Sequence, residues 1–234
     1  MIQRIIKHII QKRYYMLLGL AVVSVSSCSI LKGNSEDGFY NSRNALKVKS
    51  KDGLFSSLHV SFGGYATGNK EKDVNGHIIS FKDQRSPFHF SLKDGDGNAA
   101  SVQAVITGIK DLQNKNLPAL MVGEDHQDIF YAWIGGVNTL RNWELMVRKP
   151  TADELSHQDQ VGIFRSVDET FSVHGNNRFM KAGSSEDMCY EFRLKGVTVA
   201  AVRINGDQKV WLDKQLNRKT RFALAGAIAS LLMK

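Results

Sequence analysis

Two cysteines and three prolines are all that 234 residues contain of either kind, and the hydrophobic share is 42%. So few prolines with that much apolar content exclude a disordered chain. Two cysteines cannot build a disulfide framework, so stability must come from packing. No apolar run reaches the roughly 18 residues that a membrane-spanning helix needs. Also missing are a Gly-x-Ser-x-Gly elbow, an HExxH or paired-histidine spacing, and a glycine loop ending in Gly-Lys-Ser/Thr. The motif routes to serine hydrolases, zinc proteases and phosphate-loop enzymes are thereby closed. No period of about 20–50 residues repeats, which removes solenoids and propellers.

The formal charge of +8 suggests a polyanion-binding surface until the charges are placed. Arg4, Lys7, Lys12 and Arg13 supply four of them within residues 1–27, where there is no carboxylate, and this leaves +4 for the rest of the chain. In that remainder Lys and Arg are interspersed with Asp and Glu rather than gathered in a stripe, so no nucleic-acid partner is expected.

Residues Met1 to Tyr15 form a basic stretch, and Met16-Leu-Leu-Gly-Leu-Ala-Val-Val-Ser-Val25 follows as an apolar run. Ten helical residues rise only about 15 Å, half the hydrocarbon thickness, which is the length of a signal-peptide core and not of a span. Val25-Ser-Ser-Cys28 then places an aliphatic residue and two small ones before a cysteine. This resembles the lipobox of bacterial lipoproteins, with valine in place of the commoner leucine. The resemblance implies that the Cys28 thiol carries a diacylglyceryl group and that cleavage before it makes Cys28 the acylated N-terminus. Ser29 resembles the outer-membrane sorting class of enteric lipoproteins. The expected organisation is a signal peptide over 1–27, an acylated N-terminus and tether over 28–43, and one β-rich domain over 44–234.

From about residue 44 onward, short alternating segments are separated by turn chemistry, the pattern of antiparallel strands. About a dozen are expected, among them Phe88 to Leu92, Ser101 to Lys110, Ile129 to Ile134, Trp143 to Arg148, Met188 to Leu194, Thr198 to Ile204 and Lys209 to Leu212. Alternation puts Trp143, Leu145 and Val147 on one face; Met188, Tyr190, Phe192 and Leu194 do the same on another strand, which sends Cys189, Glu191 and Arg193 to the opposite side. One helical turn is predicted at Thr151-Ala-Asp-Glu-Leu155, with Thr151 as cap and Glu154 three residues on.

The segment Thr220-Arg-Phe-Ala-Leu-Ala-Gly-Ala-Ile-Ala-Ser-Leu-Leu-Met233 has strong helix formers and no charge after Arg221. A helix without a polar face must be shielded on all sides, and about 12 residues are too few to span a bilayer. The inside of a β-barrel satisfies both conditions, and Ala223, Ala225, Gly226, Ala227 and Ala229 keep such a rod thin. A barrel of about twelve antiparallel strands around a buried C-terminal helix resembles the tubby-like fold of the tubby proteins, the phospholipid scramblases and the plant LURP-one-related proteins. The basic phosphoinositide pocket of tubby has no residue-by-residue counterpart in this chain, so its ligand is not carried over. A β-sandwich with a packed terminal helix is the alternative fold.

Candidate sites are sparse. Asp94-Gly-Asp-Gly-Asn98 begins like a calcium loop, but Ala99 and Val105 stand where glycine and a bidentate glutamate should be. A hairpin turn fits better. Glu124-Asp-His-Gln-Asp128 reads as solvated turn residues, and His59, His77, His89, His157 and His174 are scattered singly. Phe62-Gly-Gly-Tyr65 and Ile134-Gly-Gly136 mark bends or bulges. Trp133, Trp143 and Trp211 are expected in the core. No catalytic residue, metal ligand or cofactor is assigned; the one assigned site is lipid attachment at Cys28.

The expected function is that of a non-enzymatic binding or scaffolding domain, anchored in the bacterial cell envelope and on its outer membrane before its inner one. Its partner is the membrane, reached through the N-terminal lipid; the tubby-like resemblance implies lipid or another apolar ligand for the domain itself. A carbohydrate-binding or carbohydrate-active β-sandwich is the alternative, recognisable by exposed coplanar tryptophans or by carboxylates facing across a groove. A structural subunit of an envelope complex would instead show a large exposed apolar patch.

Overall fold

The computed structural model describes residues 36–53, 56–72, 79, 81–117, 119, 128–138, 141–179 and 188–234, and Ser35–Lys234 form one compact unit. The first half of the sheet comprises β1 (Leu46–Lys47), β2 (Lys49–Gly53), β3 (Ser56–Phe62), β4 (Tyr65–Thr67), β5 (Glu71–Lys72), β6 (Arg85–Asp94) and β7 (Ala99–Gly108). The second half comprises β8 (Asp128–Asn138), β9 (Arg141–Arg148), β10 (Gln160–Arg165), β11 (Thr170–Asn176), β12 (Cys189–Leu194), β13 (Val197–Arg203) and β14 (Lys209–Leu212). Three helices accompany them: α1 (Glu36–Phe39), α2 (Ala152–His157) and α3 (Arg218–Leu232).

Thirteen strands lie on one antiparallel path, β1-β14-β13-β12-β11-β10-β9-β8-β7-β6-β4-β3-β2, and β5 pairs only with β6. The two ends of that path are separated in the chain by Val48 alone. Leu46 pairs with Val210 of β14 on one side, and Lys49 pairs with Ser61 of β3 on the other. One run of chain therefore touches both edges and brings the sheet to near closure as a barrel, with no second stacked sheet among the described residues. The sandwich alternative is set aside. Counting β1 and β2 as a single interrupted stave leaves the twelve that the sequence pattern predicts.

From β6 to β14 each strand pairs with its neighbour in sequence, so almost the whole wall is a meander of hairpins. Among the described strand pairings, only the closure by β1 and β14 joins segments far apart in the chain. Closure matters because an open edge presents unpaired N–H and C=O groups. Where the wall must bend, β8 carries Gly136 at φ +85°, and the β8–β9 register shifts between Ile134 and Asn138.

A barrel of eight strands can fill its interior with side chains; a wider one leaves space that something else must occupy. Here α3 occupies it. Twelve of its fifteen residues, from Thr220 through Leu232 apart from Arg221, are buried. Around it stand Phe62, Phe88, Phe90, Val102, Phe130, Ile134, Trp143, Phe164, Phe171, Tyr190, Phe192 and Val202 from the wall. A Cβ built at Gly226 would lie 3.1 Å from Ile134 and 3.6 Å from Val102, so helix and wall approach closely at that residue. Each fully buried Leu or Ile of α3 contributes roughly 1.5–3 kcal/mol relative to exposure. Ser230, buried in this apolar setting, is satisfied by donating to the Ala227 carbonyl at 2.7 Å. The predicted turn at Thr151 is α2, with both hydrogen bonds of a capping box between Thr151 and Glu154.

The outer face is not uniformly wet. Over β7 to β10 the 3-10 segment Ile109–Lys115, with Ile79 and Phe81, covers Val105, Ile129, Tyr131, Met146 and Ile163. Over β12 to β14, Phe39 and Tyr40 cover Cys189, Ala201 and Trp211. Residues 36–40, within the stretch assigned to a tether, are thus docked on the barrel wall. Two further segments that the period-two pattern reads as strands, His77 to Phe81 and Ala119 to Val122, lie mostly outside the described residues.

Candidate functional site

The barrel mouth at the start of α3 is concave, because the helix enters there and the strand-connecting turns stand around it. A cleft of about 560 Å³ opens between Val137, Trp143, Ser166, Glu169 and the first turn of the helix. A second, of about 340 Å³, lies across Arg218 among Tyr65, Asp94, Asp96, Lys214 and Arg221. Arg218 lines both.

Cations at a helix N-terminus oppose the macrodipole, and α3 begins with Arg218 and Lys219 and has no acidic residue in its first turn. Neighbouring turns supply the missing negative charge. Arg218 Nη2 lies 3.2 Å from Asp94 Oδ2 and 2.5 Å from Asp96 Oδ2. Thr220 Oγ1 donates to Glu169 Oε2 at 2.8 Å, while Asn217 caps the helix by accepting from the Thr220 amide at 2.9 Å. Burial disfavours the ionised Asp94 carboxyl, but hydrogen bonds from Asn98, Arg218 and the Asp96 amide outweigh it and hold the group below its usual range. Asp94, Asp96 and Glu169 are thus engaged in fastening the helix. At the opposite end Lys70 Nζ donates to the Met233 carbonyl at 2.5 Å, a cation on the negative pole of the helix.

The residues singled out in the sequence fall as follows. Asp94-Gly-Asp-Gly-Asn98 is the β6–β7 turn: Asp94 Oδ1 accepts from the amides of Asp96 at 3.0 Å and Asn98 at 2.9 Å. Among the described residues no group of three or more His, Cys, Asp or Glu side chains could hold a metal ion. Glu124 to Gln127, His77, Ser29 and Cys28 lie outside the described residues. Trp143 and Trp211 are buried, at 6% and 2% exposure. Trp133 is half-buried on the outer wall, its ring lying over Gly135. His174 bonds to the Gln158 carbonyl at 2.8 Å and to Ser172 Oγ at 3.0 Å, and His89 pairs with Glu71 at 3.1 Å. Cys189 is a free thiol, buried, and burial pushes its pKa up, away from thiolate chemistry. The one large hydrophobic side chain left exposed among the described residues is Val167, in the β10–β11 turn.

Alternation places Glu191 on the outer face, where a carboxylate ordinarily meets water, yet it is fully buried. Its Oε1 accepts from Tyr40 Oη and from Asn176 Nδ2 at 2.5 Å. Its Oε2 accepts from Arg193 Nε at 3.0 Å and Nη2 at 2.6 Å, and from Thr198 Oγ1 at 3.3 Å. Tyr40 belongs to the segment docked on that wall, where it meets the Trp211 ring at 5.3 Å between centroids. Burial first, then the nearby Cys189 and Glu191, pushes the Tyr40 hydroxyl far above its usual pKa, so it remains a donor. Nothing in the sequence marks this network except the alternating Cys189-Tyr-Glu-Phe-Arg193, because the covering segment comes from 150 residues away.

Compared with known proteins, the chain matches no family model, no curated protein and no solved structure.

Proposed function

We propose that the protein is a lipid-anchored component of the bacterial envelope, held through Cys28, whose barrel is a non-enzymatic binding or scaffolding body. The observation that carries this is the order of features in the first 28 residues: basic stretch, ten-residue apolar run, then Val25-Ser-Ser-Cys28. The barrel supports it from the other side. Its interior is apolar and filled by its own helix, while lysines such as Lys47, Lys49 and Lys51 are exposed. A membrane-spanning barrel has the reverse polarity, so this body needs a separate means of attachment.

The filled lumen also redirects the search for a ligand. Lipid or another apolar ligand would have to displace α3 to enter, so binding belongs to the outer wall or the mouth. Two of the three tryptophans are buried, and Asp94, Asp96 and Glu169 at the mouth fasten the helix, an arrangement that favours binding over the carbohydrate-active alternative. Outer-membrane residence remains part of the proposal, on Ser29. The test is metabolic labelling with palmitate in a bacterial host. The full chain incorporates label and partitions with membranes, and Cys28→Ala abolishes both. Label retained by Cys28→Ala would overturn the anchor.

A further inference from the structure

Closing the barrel creates a band of positive charge that no single stretch of sequence contains. Along the closing run, period-two alternation turns Leu46 and Val48 toward the core and leaves Lys47, Lys49 and Lys51 exposed on the outer face. Lys47 stands directly opposite Lys209, and the next residue across on β13 is Arg203. Like charges facing each other across strands oppose pairing, so the Lys47–Lys209 juxtaposition does not itself stabilise the closure. Asp207 answers it: Lys209 Nζ lies 2.6 Å from Asp207 Oδ2, and Arg203 and Lys47 add to the field that keeps this carboxyl ionised. Lys47, Arg203 and Lys209 gather at that carboxylate, and Lys49 and Lys51 continue the seam along β2.

The position of the seam indicates what it faces. Trp211 and Ala201, which receive Phe39 and Tyr40, are two residues along the same outer faces from Lys209 and Arg203. The docked segment therefore reaches the wall beside the seam. Only seven residues separate Cys28 from Glu36, and the eight chain steps between them, fully extended, cover at most about 28 Å. At physiological ionic strength a charged surface acts over roughly 8 Å, so a basic face becomes useful when an anchor holds it close. Lipid chain and basic patch together are a recognised two-signal attachment.

We propose that the seam of Lys47, Lys49, Lys51, Arg203 and Lys209 is a membrane-apposed face that binds anionic phospholipid headgroups and sets which side of the barrel meets the bilayer. The orientation rests on the lipid-anchored reading; the affinity for anionic lipid does not. The barrel unit Ser35–Lys234, which closes its own core and lacks the basic leader, is tested for co-sedimentation with phosphatidylcholine vesicles with and without phosphatidylglycerol. Binding is expected only to the anionic vesicles and declines with added salt. Lys47→Gln, Lys49→Gln and Lys51→Gln together weaken it on the order of 100-fold, about fivefold per charge, with the melting temperature unchanged or raised. Equal binding to neutral vesicles, undiminished binding by the triple variant, or tighter binding to duplex DNA than to anionic vesicles would each overturn the seam. Palmitate labelling of the full chain without a vesicle preference removes the seam and keeps the anchor; the converse result keeps the seam and removes the anchor.

Discussion

Two helical segments are packed against the same sheet, one inside and one outside, by different physics. Inside, α3 meets the wall on every side through apolar contact, and the one buried hydroxyl in its second half is satisfied within the helix itself. Outside, Phe39 and Tyr40 cover a smaller apolar patch, and a single buried carboxylate, Glu191, gathers donors from Tyr40, Asn176, Arg193 and Thr198. The inner contact tolerates no charge; the outer one depends on a charge whose partners are complete. Burial of apolar area is non-directional, whereas a buried ion costs several kcal/mol unless each lone pair is answered.

That contrast can be broken from the inside first. Ala227→Asp places an unpaired carboxylate in the lumen and is expected to cost more than about 4 kcal/mol, enough to unfold the unit. A cooperative melt at the unaltered temperature would mean that α3 is not internal. Next in size is the outer network. Glu191→Ala strands four sets of donors and is expected to cost about 2–4 kcal/mol. It should also expose residues 36–43 to protease before the barrel melts. A variant within about 0.5 kcal/mol of the parent, with unaltered cleavage, would show that apolar contact alone holds the segment.

A pH titration probes an ion pair that is independent of both contacts. The Arg148 guanidinium hydrogen-bonds Glu154 and, with the Thr151 amide and hydroxyl, outweighs burial to hold its carboxyl at about 2, against an ordinary 4.5. Because the folded value is depressed, this stabilisation is complete above pH 4.5 and lost as pH falls toward 2. Denaturation curves should show Glu154→Gln less stable than the parent by about 1–2 kcal/mol at pH 6, the gap closing in acid. A gap independent of pH would assign the loss to packing. Smallest of all is an exception inside the lumen: the Tyr190 hydroxyl is buried with no hydrogen-bond partner among the described residues. Tyr190→Phe should be neutral or stabilising by up to about 1 kcal/mol; a clear loss would reveal a partner for that hydroxyl.

Much of the fold was legible because its signals are local. Trp143, Leu145 and Val147 alternate and all face the core; Thr151 and Glu154 have capping-box spacing and form that box. The Asp94 to Asn98 stretch has turn chemistry and makes a turn. The outer wall was less legible. Cys189 and Glu191 were placed correctly on the face away from the core, yet nothing adjacent in sequence says that Tyr40 returns to cover them. The basic seam escaped for the same reason: Lys47 to Lys51 shows the alternation, but Lys209 and Arg203 join it only through strand register.

By itself, then, the amino-acid order determined the period-two strands, their turns and the need to shelter a helix without a polar face, since each depends on side chains a few residues apart. Tertiary structure alone decided that β1 and β2 would close the sheet, that a carboxylate on the outer wall would be sealed, and that five cations would share one seam. Those outcomes depend on which distant segments become neighbours, and that is settled when the whole chain finds the one closure that buries α3.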